Sequence, residues 1–387
     1  MGAMTTGKYR NFFAEIGISE ALIEEKIKAS ADTFFHGSEE ERIFHPVEPD
    51  MGYLEDTGNH DVRTEGMSYG MMMCVQLDMK EEFDRIWKWA VTKMYLTEGF
   101  NEGFFGWSRK LDSDTLAPGP APDGEEFFAM ALFFASHRWG DGEDIFAYSE
   151  WARRILSACL HKGENGRPGT PMWNRDNRLI LFVPGVDFTD ASYHLPHFYE
   201  LFALWADEED RPFWKEAAKA SREYLVKACH PVTGMNPEYG EFDGSPMVRP
   251  MPWEGADQHH DFFSDAYRTA ANIGLDAEWF GEDAGHLSAP LRLMRFLQTD
   301  LEGARTVFSV DGTPLDRTVL HPLGLLATTA QGALAVPQGD TDDYRLAAQW
   351  VRWFWEQPLR RGGRRYYDNC LYMFALLALS GRYRIWA

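Results

Sequence analysis

One alternation runs through the whole chain, and it leaves few folds open. Amphipathic, charge-rich segments lie near residues 19–35, 81–96, 143–161, 209–229, 287–300 and 341–356. In 81–96 the residues Phe83, Ile86, Trp87, Ala90, Val91 and Met94 recur at the spacing that gathers them on one face of a helix. Interleaved with these are segments apolar nearly all round: 65–79, 123–138, 190–206, 263–275, 321–335 and 366–380. A helix of that kind must be covered on every side. Six covered helices ringed by six half-exposed ones make an all-α fold, the (α/α)6 barrel. No Ser/Gly-rich linker interrupts the pattern, so residues 1–387 are read as a single domain. Ser19 is the expected N-cap of the first outer helix, with Ile18 and Ile23 as a hydrophobic staple. The run near 179–184 is the one place where a strand or hairpin is expected.

The barrel has a geometric consequence. The starts of all inner helices converge on one end, so Glu65, Asp123, Tyr193, Asp265, His321 and the pair Tyr366–Tyr367 share a mouth although they are far apart in sequence. Any one such carboxylate could be an ordinary helix cap. Three of them together, among aromatic rings, suit glycoside hydrolysis, which needs a protonated acid on the leaving oxygen and an ionised carboxylate opposite. Glu65 is flanked by Gly66, Met67 and a buried helix, which raises its pKa by desolvation. Arg268 follows Asp265 by three residues on one helix face and stabilises that carboxylate's charge.

Composition narrows the substrate. A formal net charge of −22 repels nucleic acid and anionic membranes, so neither is an expected partner and a neutral ligand fits better. The 14 Trp, 15 Tyr and 27 Phe can furnish a core and also the flat faces on which sugars stack. Trp107 and Trp173, each in a polar loop, are the stacking candidates. Cys74, Cys159, Cys229 and Cys370 show no paired spacing and read as reduced thiols. No run reaches membrane-spanning length, and Met1–Tyr9 lacks a signal core, so a cytoplasmic location is expected. Gly2 and Thr6 form a short acylation-like pattern. His194, His197, His259, His260 and Asp261 assemble no closed ligand set, so no metal is expected. Gly66-Met67-Ser68-Tyr69-Gly70 matches the nucleophile elbow of serine hydrolases but lacks the apolar strand that must precede it. Nothing points to an obligate assembly, and a monomer or weak oligomer is expected.

The local sequences carry a resemblance. Ala121-Pro122-Asp123-Gly124-Glu125-Glu126 and the apolar run to Trp139 resemble the signature of glycoside hydrolase family 8, departing from it at Pro122, Glu125 and Phe128. Arg63–Gly70 is similar to that family's acid motif and Phe263–Arg268 to its base motif. The resemblance implies an inverting mechanism without cofactor, with Glu65 as general acid and Asp265 as general base. It further implies that Asp123 binds the sugar beside the scissile bond, that Tyr193 holds the attacking water, and that Arg268 and Tyr367 belong to the substrate-binding set. The stretches 192–202, 271–280 and 364–370 resemble family members that release xylose from the reducing end of short β-1,4-xylo-oligosaccharides. In those members a loop like Leu320-His321-Pro322 forms a wall, and His321 would bond the anomeric hydroxyl. An endo-acting xylanase, β-1,4-glucanase or chitosanase, or a non-catalytic sugar-binding barrel, remains the alternative. Residues 244–260 carry no such match.

Overall fold

A computed structural model describes residues 1–113, 115–251, 259–281, 285–298 and 306–387. The six inner helices are Thr64–Leu77, Pro122–Trp139, Pro196–Trp205, Arg268–Trp279, Pro322–Gln331 and Arg365–Leu379. Each touches the next, and the last touches the first, so the ring closes. Outside it lie Glu20–His36, Lys80–Lys93, Tyr148–His161, Arg211–Ala228, Ala289–Leu297 and Asp342–Trp355. The later five each pack on the inner helix that precedes them, and Glu20–His36 packs on the last inner helix, completing the (α/α)6 barrel.

The sequence explains this packing residue by residue. Trp87, Trp214 and Trp350 on the outer helices are fully buried against the ring, each burial being worth on the order of 1.5–3 kcal/mol. Pro122, Pro196 and Pro322 open three inner helices, at a position where the missing N–H bond costs nothing. Two glycines let the helix starts crowd together. A Cβ on Gly66 would lie 2.6 Å from the Tyr366 hydroxyl, and one on Gly124 would lie 2.4 Å from Thr64 Oγ1.

Several boundaries differ from the periodicity, for local reasons. The segment 190–206 begins as a short strand, Thr189–Asp190, and a 3₁₀ turn, Ala191–Tyr193, before the helix starts at Pro196. A proline forces the residue before it out of helical geometry. The segment 263–275 likewise starts as a 3₁₀ turn, Ser264–Tyr267, with the helix running from Arg268. Tyr193 and Asp265 therefore sit in tight turns ahead of their helices. The run near 179–184 folds back on residues 172–174 as a minimal hairpin, with an antiparallel bridge between Trp173 and Ile180 and the N–H groups of Asn174 and Leu181 donating to the carbonyls of Leu179 and Met172. Short pairings that periodicity cannot register lead into the mouth, among them Asp61–Arg63 with Ser108–Lys110 and Asp261–Phe262 with Thr306–Ser309. Ser19 caps Glu20–His36 by accepting from the Leu22 N–H. Gly2 is buried, its N–H bonded to the Phe280 carbonyl. All four cysteines are buried and free. No helix among the described residues is long and apolar enough to cross a membrane. Part of the 244–260 loop, residues 252–258, lies outside the described residues.

Candidate active site

The mouth is organised around one buried cation. Arg268, the first residue of its inner helix, has Nη1 at 3.0 Å from Glu65 Oε2, from Asp123 Oδ2 and from the Tyr69 hydroxyl. Its Nη2 lies 3.5 Å from Asp265 Oδ2 and 3.9 Å from Asp190 Oδ2. Four carboxyl groups thus share one guanidinium, and burial penalises the charges of Glu65, Asp123 and Asp190.

Glu65 shows the result most clearly. Burial first, then the neighbouring Asp123 and Asp265 charges, push its carboxyl up to about 7 against the opposing pull of Arg268. Its second oxygen accepts a 2.7 Å hydrogen bond from Tyr366. Asp123 and Asp190 are also raised, chiefly by burial. Glu65 is therefore a carboxyl that can still hold its proton near neutrality.

Asp265 is the most accessible of the four, its side chain 32% exposed. It follows Ser264, which is held in the left-handed region at φ 36°, a conformation that persists only where surrounding contacts enforce it. Tyr367 supplies one by donating to the Ser264 carbonyl at 3.2 Å. Behind Asp265 stands Glu238, bonded to His259 Nδ1 at 3.1 Å and pushed up to about 7 by burial.

Glu65, Asp123, Tyr193, Asp265, His321, Tyr367 and Trp107 all line one cleft of about 1210 Å³. Trp107 stands at its rim, 41% exposed, with the Arg63 guanidinium 5.4 Å from its ring centre. Tyr193 lies between Phe182, stacked at 5.8 Å, and the Arg268 guanidinium at 5.4 Å. His321 packs edge-on against Tyr367 at 4.9 Å, with Nδ1 3.5 Å from Asp368. Asp368 in turn accepts the Gly324 N–H and pairs with Arg360, fixing the loop that carries His321.

Trp173 is the exception, and the reading of it as a stacking platform is corrected here. It is fully buried, edge-on to Tyr199 and Trp214 at 5.7 and 5.0 Å, while the polar residues after it take the solvent side of the loop. His194 and His197 also go separate ways. His194 bonds Thr189 and Ser221, whereas His197 packs on Phe198 and Trp279, and burial lowers both to about 3. Ser68 lies within the helix Thr64–Leu77 and donates to the Glu65 carbonyl, so it forms no elbow. Sequence reasoning passed over Tyr69, Asp190 and Glu238. Asp190 stood at the start of an inner segment and carried a readable signal, whereas Glu238 lies in a loop with no period.

A carboxyl that keeps its proton near neutrality, a second carboxyl on the far nitrogen of the same guanidinium, and aromatic faces above them define a carbohydrate-cleaving hydrolase on a helical barrel. Residues 50–381 match glycosyl hydrolases family 8, and the chain belongs to that family. It is 55% identical over 386 residues to the reducing end xylose-releasing exo-oligoxylanase of Halalkalibacterium halodurans, a match covering 100% of this chain and 96% of the relative. It is 53% identical to the corresponding enzyme of Paenibacillus barcinonensis, covering 100% of this chain and 98% of that one. The solved structure of the Paenibacillus barcinonensis enzyme complexed with xylose superposes with a TM-score of 0.94 at 52% identity, covering 100% of both chains.

Proposed function

We propose that this glycoside hydrolase releases xylose from the reducing end of short β-1,4-xylo-oligosaccharides with inversion. Glu65 gives its proton to the glycosidic oxygen as the bond from C1 to that oxygen breaks. Asp265 takes a proton from water, whose oxygen bonds to C1 from the opposite face. The remaining oligosaccharide then leaves as the α-anomer. Inversion needs carboxyl groups about 6.5–9.5 Å apart, with room for that water. The observation that carries the reading is the placement of Glu65 and Asp265 on different nitrogens of the Arg268 guanidinium. That arrangement brings the two carboxyls, one from the helix Thr64–Leu77 and one from the turn Ser264–Tyr267, to a single buried cation.

Asp123, bonded to the same guanidinium, is assigned the sugar beside the scissile bond, and Tyr193 the attacking water. Trp107 and Tyr367 flank the substrate, and His321 receives the anomeric hydroxyl at the closed end. The xylose backbone and the reducing-end preference rest on the names of relatives more than 50% identical over the whole chain. Four free, buried cysteines fit a reducing compartment, in keeping with cytoplasmic action on small oligosaccharides. Proton NMR of fresh hydrolysate tests the mechanism. The α-anomer should appear first, and initial formation of the β-anomer would refute inversion.

A further inference from the structure

The acid run Asp123-Gly124-Glu125-Glu126 sends its side chains to different places. Asp123 reaches Arg268, and Glu125 accepts the Phe105 backbone N–H at 3.0 Å. Glu126, with no exposed surface, meets the Tyr199 hydroxyl at 2.9 Å through Oε2. That same hydroxyl lies 3.0 Å from the backbone carbonyl of Tyr193, the residue at the cleft. The hydrogens can be counted. A phenol has one proton to donate, while a carbonyl and an ionised carboxylate are both pure acceptors. One proton cannot make a full hydrogen bond to both acceptors; each contact is a full bond when Glu126 carries a proton, donates it to the Tyr199 oxygen, and leaves the Tyr199 proton for the Tyr193 carbonyl. Burial favours the protonated form of both groups in the same sense. The Tyr199 ring is itself clamped by Trp173 and Trp214.

We propose that Glu126, as a carboxylic acid, is a positioning residue that fixes the Tyr193 turn through Tyr199. The wedge Trp173–Tyr199–Trp214 supplies the rigid backing, and the two hydrogen bonds set where the 3₁₀ turn Ala191–Tyr193 places its ring against Arg268 and the cleft. The consequence for rate rests on the proposed role of Tyr193 toward the attacking water; the protonation of Glu126 does not.

Two measurements on the full-length protein separate these. A difference infrared spectrum of wild type against Glu126→Gln at neutral pH should contain the carbonyl stretch of a protonated carboxylic acid, and its absence overturns the proposal whatever the enzyme does. For kinetics on xylo-oligosaccharides, Glu126→Gln keeps a donor to the Tyr199 oxygen and should hold kcat within about threefold of wild type. Glu126→Leu and Tyr199→Phe each break the chain and should lower kcat by about tenfold or more with KM little changed, the scale expected of a small misplacement near the reacting atoms. Tyr199→Phe also serves if Glu126→Leu does not fold. A folded Tyr199→Phe enzyme with wild-type kcat, or a Glu126→Gln enzyme as slow as Tyr199→Phe, contradicts the positioning role. If Asp265→Asn proves fully active while the infrared band is present, the proposed function has failed and the Glu126 assignment has not.

Discussion

Two arginines, Arg268 and Arg222, sit in clusters that share one inner helix, and they resolve their charges in opposite ways. Arg222, from the outer helix Arg211–Ala228, meets Asp276 through two nitrogens at 2.8 and 3.0 Å and Glu200 at 2.6 Å. His286 adds a 2.9 Å contact to the same aspartate. Burial alone would raise Asp276, but hydrogen bonds from His286 and Arg222 and the Arg222 charge overcome it and hold the carboxyl down to about 2. At the other end of the helix, four carboxyls compete for Arg268, and Glu65 rises to about 7. The chemistry of the groups is the same; the ratio of cation donors to carboxyls differs. Where donors suffice, the network locks. Where they do not, protons remain available to move, as acid–base catalysis requires.

The largest effects should therefore fall on different observables at the two sites. Glu65→Gln and Asp265→Asn should each lower kcat/KM by about 10³-fold or more, with thermal melting equal to or above wild type. Asp276→Asn should do the reverse, costing about 3–5 kcal/mol of unfolding free energy because Arg222 loses its buried partner, while the folded fraction keeps its activity. Equal stability losses at both sites, by calorimetry and denaturant titration, would erase the distinction.

The tryptophans offer a second contrast. Trp173→Ala empties a fully buried site and should cost about 3–5 kcal/mol. Trp107→Ala, at the open rim, should leave stability unchanged and raise KM several-fold.

The pH dependence sharpens the comparison by its sign. Glu65 has a folded pKa raised above the unfolded carboxyl value, so its contribution to stability is full below that value and lost as pH rises through about 7. Asp276 is depressed, so its contribution is present above the unfolded value and lost as pH falls through about 2. Melting temperatures across pH should show wild type losing stability on the alkaline side more steeply than Glu65→Gln does, and losing it on the acid side more steeply than Asp276→Asn does. The wild-type rate should also fall above about pH 7, as Glu65 gives up the proton it must donate. Activity that stays level well above that pH would remove Glu65 as the acid. The smallest change in rate, though not in product, is expected at the wall: shortening residues 314–322 should turn single-xylose release into a mixed ladder with kcat/KM within about tenfold.

The ring of helices was legible because burial on every side is written into composition at each turn of 65–79 or 366–380, and the convergence of Glu65, Asp123 and Asp265 followed from the ring. Other features have no such trace. Trp173 sits among polar neighbours, and only the folded loop reveals that Asn174 spends its side chain on the turn, accepting from Asp176 and Asn177, while the indole turns inward. Asp190 resembles an ordinary cap and is one, accepting from Ser192, yet it also crowds Arg268. Glu238 reaches Asp265 through loops whose approach depends on strand pairings only two residues long. The two adjacent acids Glu125 and Glu126 in an apolar helix were the available hint that carboxyls are buried here.

The most direct test is the earliest product mixture from xylohexaose isotopically labelled in its reducing-end residue. Labelled xylose and unlabelled xylopentaose, appearing together and first, are the predicted result. Label spread through a ladder of oligosaccharides from the outset, or first release of unlabelled xylose, would contradict it.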